Sequence, residues 1–206
     1  MTAGIPLVLL DVDGVLNAVT RRGDATVWPD WQYGSAAADG RSWPIVWSPS
    51  VTATIRRWQL SGLADVRWLT TWRGHANGEL RLLLDLPELP VVGEETALTV
   101  ATAATGPASS HAELAGANAA SLLTGRWWKL DLVLELVRSD PSRPFVWLDD
   151  DLANKGVVRD WLKAHATCLP LAPRPDTGLT PDQLDTAERW LLGHRPAVTP
   201  GCDSGG

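Results

Sequence analysis

The segment Ile5-Pro6-Leu7-Val8-Leu9-Leu10-Asp11-Val12-Asp13-Gly14-Val15-Leu16-Asn17 is a short apolar run that ends in two acids and a glycine. The run reads as a buried strand of a parallel sheet. In open α/β sheets ligands bind beyond the carboxyl ends of the strands. Two carboxylates delivered there, two residues apart, make a metal and phosphate site. The first can attack and the second can shuttle a proton. Gly14 lets the chain turn directly after the acids. Asp-x-Asp alone is a weak signal, because Asp also favours turns and helix caps. An EF-hand loop is excluded, because Val15 follows Gly14 where that loop continues differently. A sugar-nucleotide transferase can carry the same pair after a strand.

Outward from this segment, the pattern alternates between strands and helices. Residues 17–47 are polar and rich in Gly and Trp, and they read as a flap or small hairpin without a core of its own. Ser48-Pro49 starts a helix, with Ser48 as N-cap, Pro49 at the first helical position and Gly62 at the end. Val66-Arg67-Trp68-Leu69 is a strand that runs into Thr70-Thr71-Trp72-Arg73. A helix over 76–84 is closed by Pro87 and Pro90, and Val91-Val92 is a short strand. Residues 94–125, rich in Ala, Thr, Ser and Gly, read as a loop insertion. A helix over 127–137 carries Leu130, Val133, Leu134 and Val137 on one face. The strand 144–148 ends in Asp149-Asp150-Asp151, with Asp151 the candidate cap of the next helix. That helix over 155–164, a strand over 168–171 and a last helix over 181–192 complete the order. Thr180-Pro181-Asp182-Gln183 is a capping box for that last helix. The tail from Arg195 is expected to be disordered. The whole predicts a Rossmann-like α/β domain over 1–194, a parallel sheet with helices on both faces and a minimal cap.

Composition bounds the function. The chain has 206 residues and is 45% hydrophobic, enough for one sizeable core. Its formal charge of -6 argues against a non-specific grip on nucleic acid, which needs Lys and Arg to neutralise phosphates. It leaves room for a single phosphate at a metal site. Cys168 and Cys202 form no metal pattern and suit a reducing compartment. The N-terminal apolar run is too short for a secretory leader and is broken by Asp11, and no stretch approaches a membrane span. A cytoplasmic protein with no membrane partner is therefore expected. The histidines His75, His111, His165 and His194 have no metal spacing. Twelve Trp stand against one Tyr and one Phe. Most should fill the core, while a few could stack on a base or sugar, with Trp28, Trp31 and Trp43 near the mouth the candidates for a terminal base.

Polar residues follow the strands in a fixed order: Asp11 and Asp13, then Thr70, then Lys129, then Asp149 and Asp150. This order resembles the haloacid dehalogenase (HAD) superfamily. Three stretches are similar to the branch found in bacterial RNA-repair proteins. They are Asp11-Val12-Asp13-Gly14-Val15-Leu16-Asn17, Trp68-Leu69-Thr70-Thr71-Trp72 with Ala76-Asn77, and Trp147-Leu148-Asp149-Asp150. The resemblance implies a Mg²⁺-dependent phosphatase that forms an aspartyl-phosphate on Asp11. Asp13 would be its acid and base, Thr70 or Thr71 a phosphoryl ligand and Lys129 the positive charge, with Arg126 the rival to Lys129. The metal would be held by Asp11, the carbonyl of Asp13, and Asp149 or Asp150. Arg73 is the basic candidate for substrate contact. The implied substrate is a nucleotide or a nucleic-acid terminal phosphate. The alternatives are a general sugar-phosphate phosphatase and a silent binding module on the same fold. The sequence leaves the oligomeric state open.

Overall fold

The computed structural model describes residues 4–94 and 127–196. Most of the insertion expected at 94–125, most of the tail from Arg195, and Arg126, His111 and Cys202 lie outside the described residues. The elements in chain order are β1 (Leu7–Leu10), β2 (Gln32–Ala38), β3 (Arg41–Trp47), α1 (Pro49–Leu60), β4 (Asp65–Trp68) and α2 (Glu79–Leu83). They continue with α3 (Trp128–Ser139), β5 (Phe145–Leu148), α4 (Gly156–His165), β6 (Cys168–Leu171) and α5 (Pro181–Gly193). Short 3₁₀ turns occupy Arg73–Asn77 and Asp150–Asn154.

β1 is buried at every residue, as a continuous Leu/Val strand at the centre of a parallel sheet must be. The sheet has the order β4-β1-β5-β6 and all its pairs are parallel. Leu10 is level with Trp68 on one side and Leu148 on the other, so three carboxyl ends open at one height. Side chains alternate across a strand, which gives each face its own core. Val8, Leu10, Val66, Trp68, Val146 and Leu148 pack with Val51, Ile55 and Trp58 of α1 and with Leu184, Ala187 and Leu191 of α5. Leu7, Leu9, Phe145 and Trp147 pack with Leu130, Val133 and Leu134 of α3 and with Val158 and Leu162 of α4. The helices therefore cover both faces, and this is the expected Rossmann-like α/β sandwich. No helix among the described residues is long and apolar enough to cross a membrane.

The flap is an ordered antiparallel ribbon of β2 and β3. Its turn is Asp39-Gly40, with φ of 51° and 71°, the left-handed pair that a two-residue hairpin favours. It borrows the main core, because Ala36, Ile45 and Trp47 join the α1 and α5 cluster. Glu79 of α2 anchors it by accepting the Ala37 N–H at 2.9 Å.

Local details depart from expectation in three places. Ser48 does stand at the N-cap of α1, but its hydroxyl donates to Asp30 at 2.6 Å instead of accepting from the helix. The Asp30 carboxylate does the capping, by accepting the Ser50 N–H at 2.9 Å. The helix expected over 76–84 is broken at Gly78 into a 3₁₀ turn and the short α2. The strand expected at Val91-Val92 shrinks to one bridge between Val91 and Trp68, since Pro90 has no N–H to extend the ladder. The Thr180 capping box forms as expected, with both of its hydrogen bonds in place.

Candidate active site

β1 hands Asp11 to the carboxyl edge of the sheet, where it is buried. The Val12 N–H donates to Asp11 Oδ1 at 2.7 Å, a local bond that fixes the carboxylate as the strand ends. Lys129, in the first turn of α3, reaches across with its stem buried. Its Nζ lies 2.5 Å from Asp11 Oδ2 and 2.8 Å from Asp149 Oδ2. Asp149, at the end of β5, is fully buried. The Trp147 indole N–H donates to its Oδ2 at 3.3 Å, and the Asp151 N–H to its Oδ1 at 3.0 Å. Asp149, and not Asp151, is thus the residue that caps the turn after β5; Asp151 is exposed.

The electrostatics follow from burial. Desolvation pushes the Asp11 carboxyl up, and the Lys129 charge only partly offsets it. Desolvation, then the Asp11 charge, pushes Asp149 up to about 7. The same two causes raise the half-buried Asp150. Burial works to lower the Lys129 ammonium, but the Asp11 and Asp149 charges outweigh it and hold it above its ordinary value. Three acids with one ammonium among them leave uncompensated negative charge at the strand ends.

That imbalance suits a hard cation. The ligand oxygens of Asp11, Asp149 and Asp150 lie within 4.8 Å of one another. An all-oxygen set of this kind is what Mg²⁺ or Ca²⁺ takes. The Asp13 carboxylate is not part of the group. Its backbone carbonyl has no hydrogen bond from the described residues. Gly14 makes the arrangement possible. Its φ is +72°, and a Cβ there would sit 2.4 Å from Asp150 Cγ, so no other residue lets the turn approach that side chain.

Asp13 turns its side chain the other way, to the edge of a cleft of about 700 Å³ between the hairpin and the turn after β4. Asn17 Nδ2 donates to its Oδ1 at 2.7 Å, and Trp72 Nε1 donates to its Oδ2 at 3.0 Å. Each oxygen keeps a second acceptor site. Thr70 is buried at the end of β4; its hydroxyl accepts the Trp72 N–H at 3.3 Å and, beside Asp11, helps to offset the rise in that carboxyl's pKa. Thr71 is exposed and lines the cleft. Arg73 does not line that cleft; its guanidinium lies over the Trp128 ring at 4.0 Å, one residue from Lys129. The structure therefore brings Asp11, Thr70, Lys129, Asp149 and Asp150 together, sets Asp13 and Thr71 beside them, and leaves Arg73 outside the cleft, on Trp128.

Sequence reasoning gave no role to Asn17 and Trp72, the two donors to Asp13. Both stand inside the motif stretches around Asp11 and Thr70, which was the available signal. The described histidines take no part. His165 and His194 stack on Trp161 and Trp190, and His75 pairs with Asp39 at the hairpin turn. Cys168 is a half-buried free thiol whose pKa burial pushes up to about 11.

A parallel sheet whose two central strands end in acids, with a lysine between them, defines a domain of the haloacid dehalogenase type. Residues 7–184 match the family described as the HAD domain in Swiss Army Knife RNA repair proteins, and the chain belongs to that family. No curated protein and no solved structure matches the chain. Membership in this family places the chain in a superfamily of hydrolases and phosphatases.

Proposed function

We propose that the domain is a Mg²⁺-dependent phosphomonoesterase acting on a nucleotide or on a terminal phosphate of a nucleic acid. The observation that carries this reading is Lys129 Nζ between Asp11 and Asp149, with Asp13 two residues on at the edge of the cleft. Mg²⁺, held by Asp11, the Asp13 carbonyl and Asp149 or Asp150, would cancel the charge that otherwise repels a phosphate from three carboxylates.

The chain's own groups do the rest. An Asp11 carboxylate oxygen attacks phosphorus, forming an aspartyl-phosphate as the bond to the leaving oxygen breaks. Asp13 gives its proton to that oxygen and then takes one from the water that cleaves the aspartyl-phosphate, releasing orthophosphate and restoring Asp11. Asn17 and Trp72 hold Asp13 in place for both transfers. Thr70 donates to a phosphoryl oxygen. Lys129 stabilises the charge that builds on the transferring group, in a site shielded from water. Thr71, on the cleft wall, and Arg73, stacked on Trp128, contact what surrounds the phosphate.

The test is a phosphate-release screen with Mg²⁺ over nucleotides, oligonucleotides with terminal phosphates, and sugar phosphates. Turnover of the first two classes supports the reading. A preference for sugar phosphates points to a general metabolite phosphatase, and no turnover at all points to a silent binding module; either result overturns it.

A further inference from the structure

Strands β2 and β3 present one face to the core, and its register pairs Gly34 with Ile45, Ala36 with Trp43 and Ala38 with Arg41. Ile45, Ala36 and Ala38 on that face are buried. Trp43 lies on the same face, yet 46% of its surface is exposed. A large aromatic on the inner face of a ribbon normally packs; here it opens onto the cleft of about 700 Å³ instead. Its neighbours across the ribbon are alanines, whose small side chains leave the space beside the ring open.

The cleft has the size of a small-molecule site. Asp13, Thr71 and Trp72 line it together with Trp43, Asp39 and Arg21. A group attached to a phosphate at Asp13 and extending into this cleft shares it with Trp43. Arg21 is the only basic residue lining the cleft among the described residues. No described acid pairs with it, in a chain whose formal charge is -6. An exposed aromatic ring and one cation lining the same cleft suit a base and a neighbouring phosphodiester. A sugar lays only its C–H face on an indole, so ribose 5-phosphate is the competitor that separates the two.

Trp28 and Trp31, the other tryptophans near the mouth, are spoken for. The Trp28 indole N–H donates to the Leu179 carbonyl at 2.8 Å, and the ring packs on the core. Trp31 donates to the Asp24 carbonyl at 2.9 Å and lies so close over Gly23 that a Cβ there would meet it at 2.1 Å.

We infer that the hairpin cleft is a nucleoside subsite, with Trp43 as the platform for the terminal base of an oligonucleotide and Arg21 as the contact for the next phosphodiester. The inference rests on the phosphatase reading for the position of the phosphate.

The test is equilibrium binding, which needs no turnover. A short single-stranded RNA with a terminal phosphate, labelled at its far end, is titrated by fluorescence anisotropy into full-length Asp11→Asn protein. The titration is repeated with Trp43→Ala, Trp43→Phe and Arg21→Gln added in turn. The matching mononucleotide and ribose 5-phosphate compete in parallel. Trp43→Ala should weaken RNA binding about tenfold or more, and Trp43→Phe should recover most of the loss. Arg21→Gln should weaken the RNA more than the mononucleotide. Absence of measurable RNA binding, equal affinities for the Trp43 variants and their parent, or an equal loss for ribose 5-phosphate would overturn the inference. A failed phosphate-release screen is a separate result, because it bears on turnover and not on this Kd.

Discussion

The indole N–H of Trp72 donates to Asp13 Oδ2 at 3.0 Å, tying the turn after β4 to the second acid after β1. Asn17 holds the other oxygen, and its own Oδ1 accepts the Val46 N–H at 2.8 Å. The orientation of Asp13 is thereby shared between the sheet edge and the hairpin. A proton shuttle must stay within hydrogen-bond reach of two different oxygens in turn, so loss of one tether should slow both half-reactions. Trp72→Phe keeps the ring and removes the donor. It should lower kcat about tenfold with a smaller change in KM, read from steady-state kinetics. Asn17→Ala should also cost about 1–3 kcal/mol of stability in a denaturant titration, because the Val46 N–H loses its buried acceptor. Wild-type kcat in Trp72→Phe would remove the positioning role.

Asp11→Asn should abolish turnover while the fold persists. An amide nearly matches the carboxylate in shape but cannot attack phosphorus. The substitution also removes one of the acids whose desolvation and mutual repulsion the folded state tolerates, so the thermal midpoint should not drop appreciably. Single-turnover phosphate release and a thermal melt measure the two halves. Near-normal phosphate release would end the aspartyl-phosphate mechanism.

The parts legible in the sequence were those with a strong local signature. The β1 run with Asp11 and Asp13, the strand before Thr70, the apolar face behind Lys129 and the strand before Asp149 each carry a period and a terminus, and the parallel sheet follows from their alternation. Burial separates Thr70 from Thr71, which no sequence period could do, since both follow the same strand. The Asp30 cap of α1, the Trp72 bond to Asp13 and the commitment of Trp28 to Leu179 join residues far apart in sequence, and nothing local announces such pairings. The hairpin contributes few apolar residues, so its sequence shows no core of its own; it is ordered by the core it shares with α1 and α5. Gly78 breaks the helix expected over 76–84, where the Leu spacing outweighs a single glycine in the sequence pattern.

At the far end of the sheet Asp65 ties strands together. Its Oδ2 accepts from Arg67 at 2.9 Å and from Arg143 at 2.7 Å, and Arg143 Nε donates to the Ile5 carbonyl at 3.1 Å. Burial acts to raise the Asp65 carboxyl, but the two guanidiniums outweigh it and hold it below its ordinary value of 3.8. With the folded value depressed, the unfolded chain binds more protons as pH falls past that ordinary value. This contribution to stability is therefore present above it and lost as pH falls through the lower folded value. Asp65→Asn should lower stability at pH 7 by about 1–3 kcal/mol and flatten the acid limb of the stability curve. It should leave kcat intact, since Asp65 lies at the opposite end of β4 from Thr70. Urea titrations at several pH values check the first two claims. An acid limb unchanged by Asp65→Asn would show that other carboxylates set it.

Metal should bind the acidic cluster whether or not substrate is present, because Asp11, Asp149 and Asp150 are already gathered. A ligand that binds only the folded state stabilises it by an amount set by its concentration over Kd, about 2.7 kcal/mol at a hundredfold excess. Mg²⁺ should therefore raise the thermal midpoint of the apo protein, and excess EDTA should return it without unfolding the domain. Asp150→Asn leaves Lys129 paired with Asp11 and Asp149 but removes one of the three acids. It should cut the Mg²⁺-induced shift sharply while sparing the fold. Ca²⁺ should also raise the midpoint, yet support little turnover, because its larger and looser coordination misplaces the attacking carboxylate. The stability shift and the activity then separate across the two ions. Full activity in excess EDTA, or an Mg²⁺ shift that survives in Asp150→Asn, would place the metal elsewhere or remove it from the reaction.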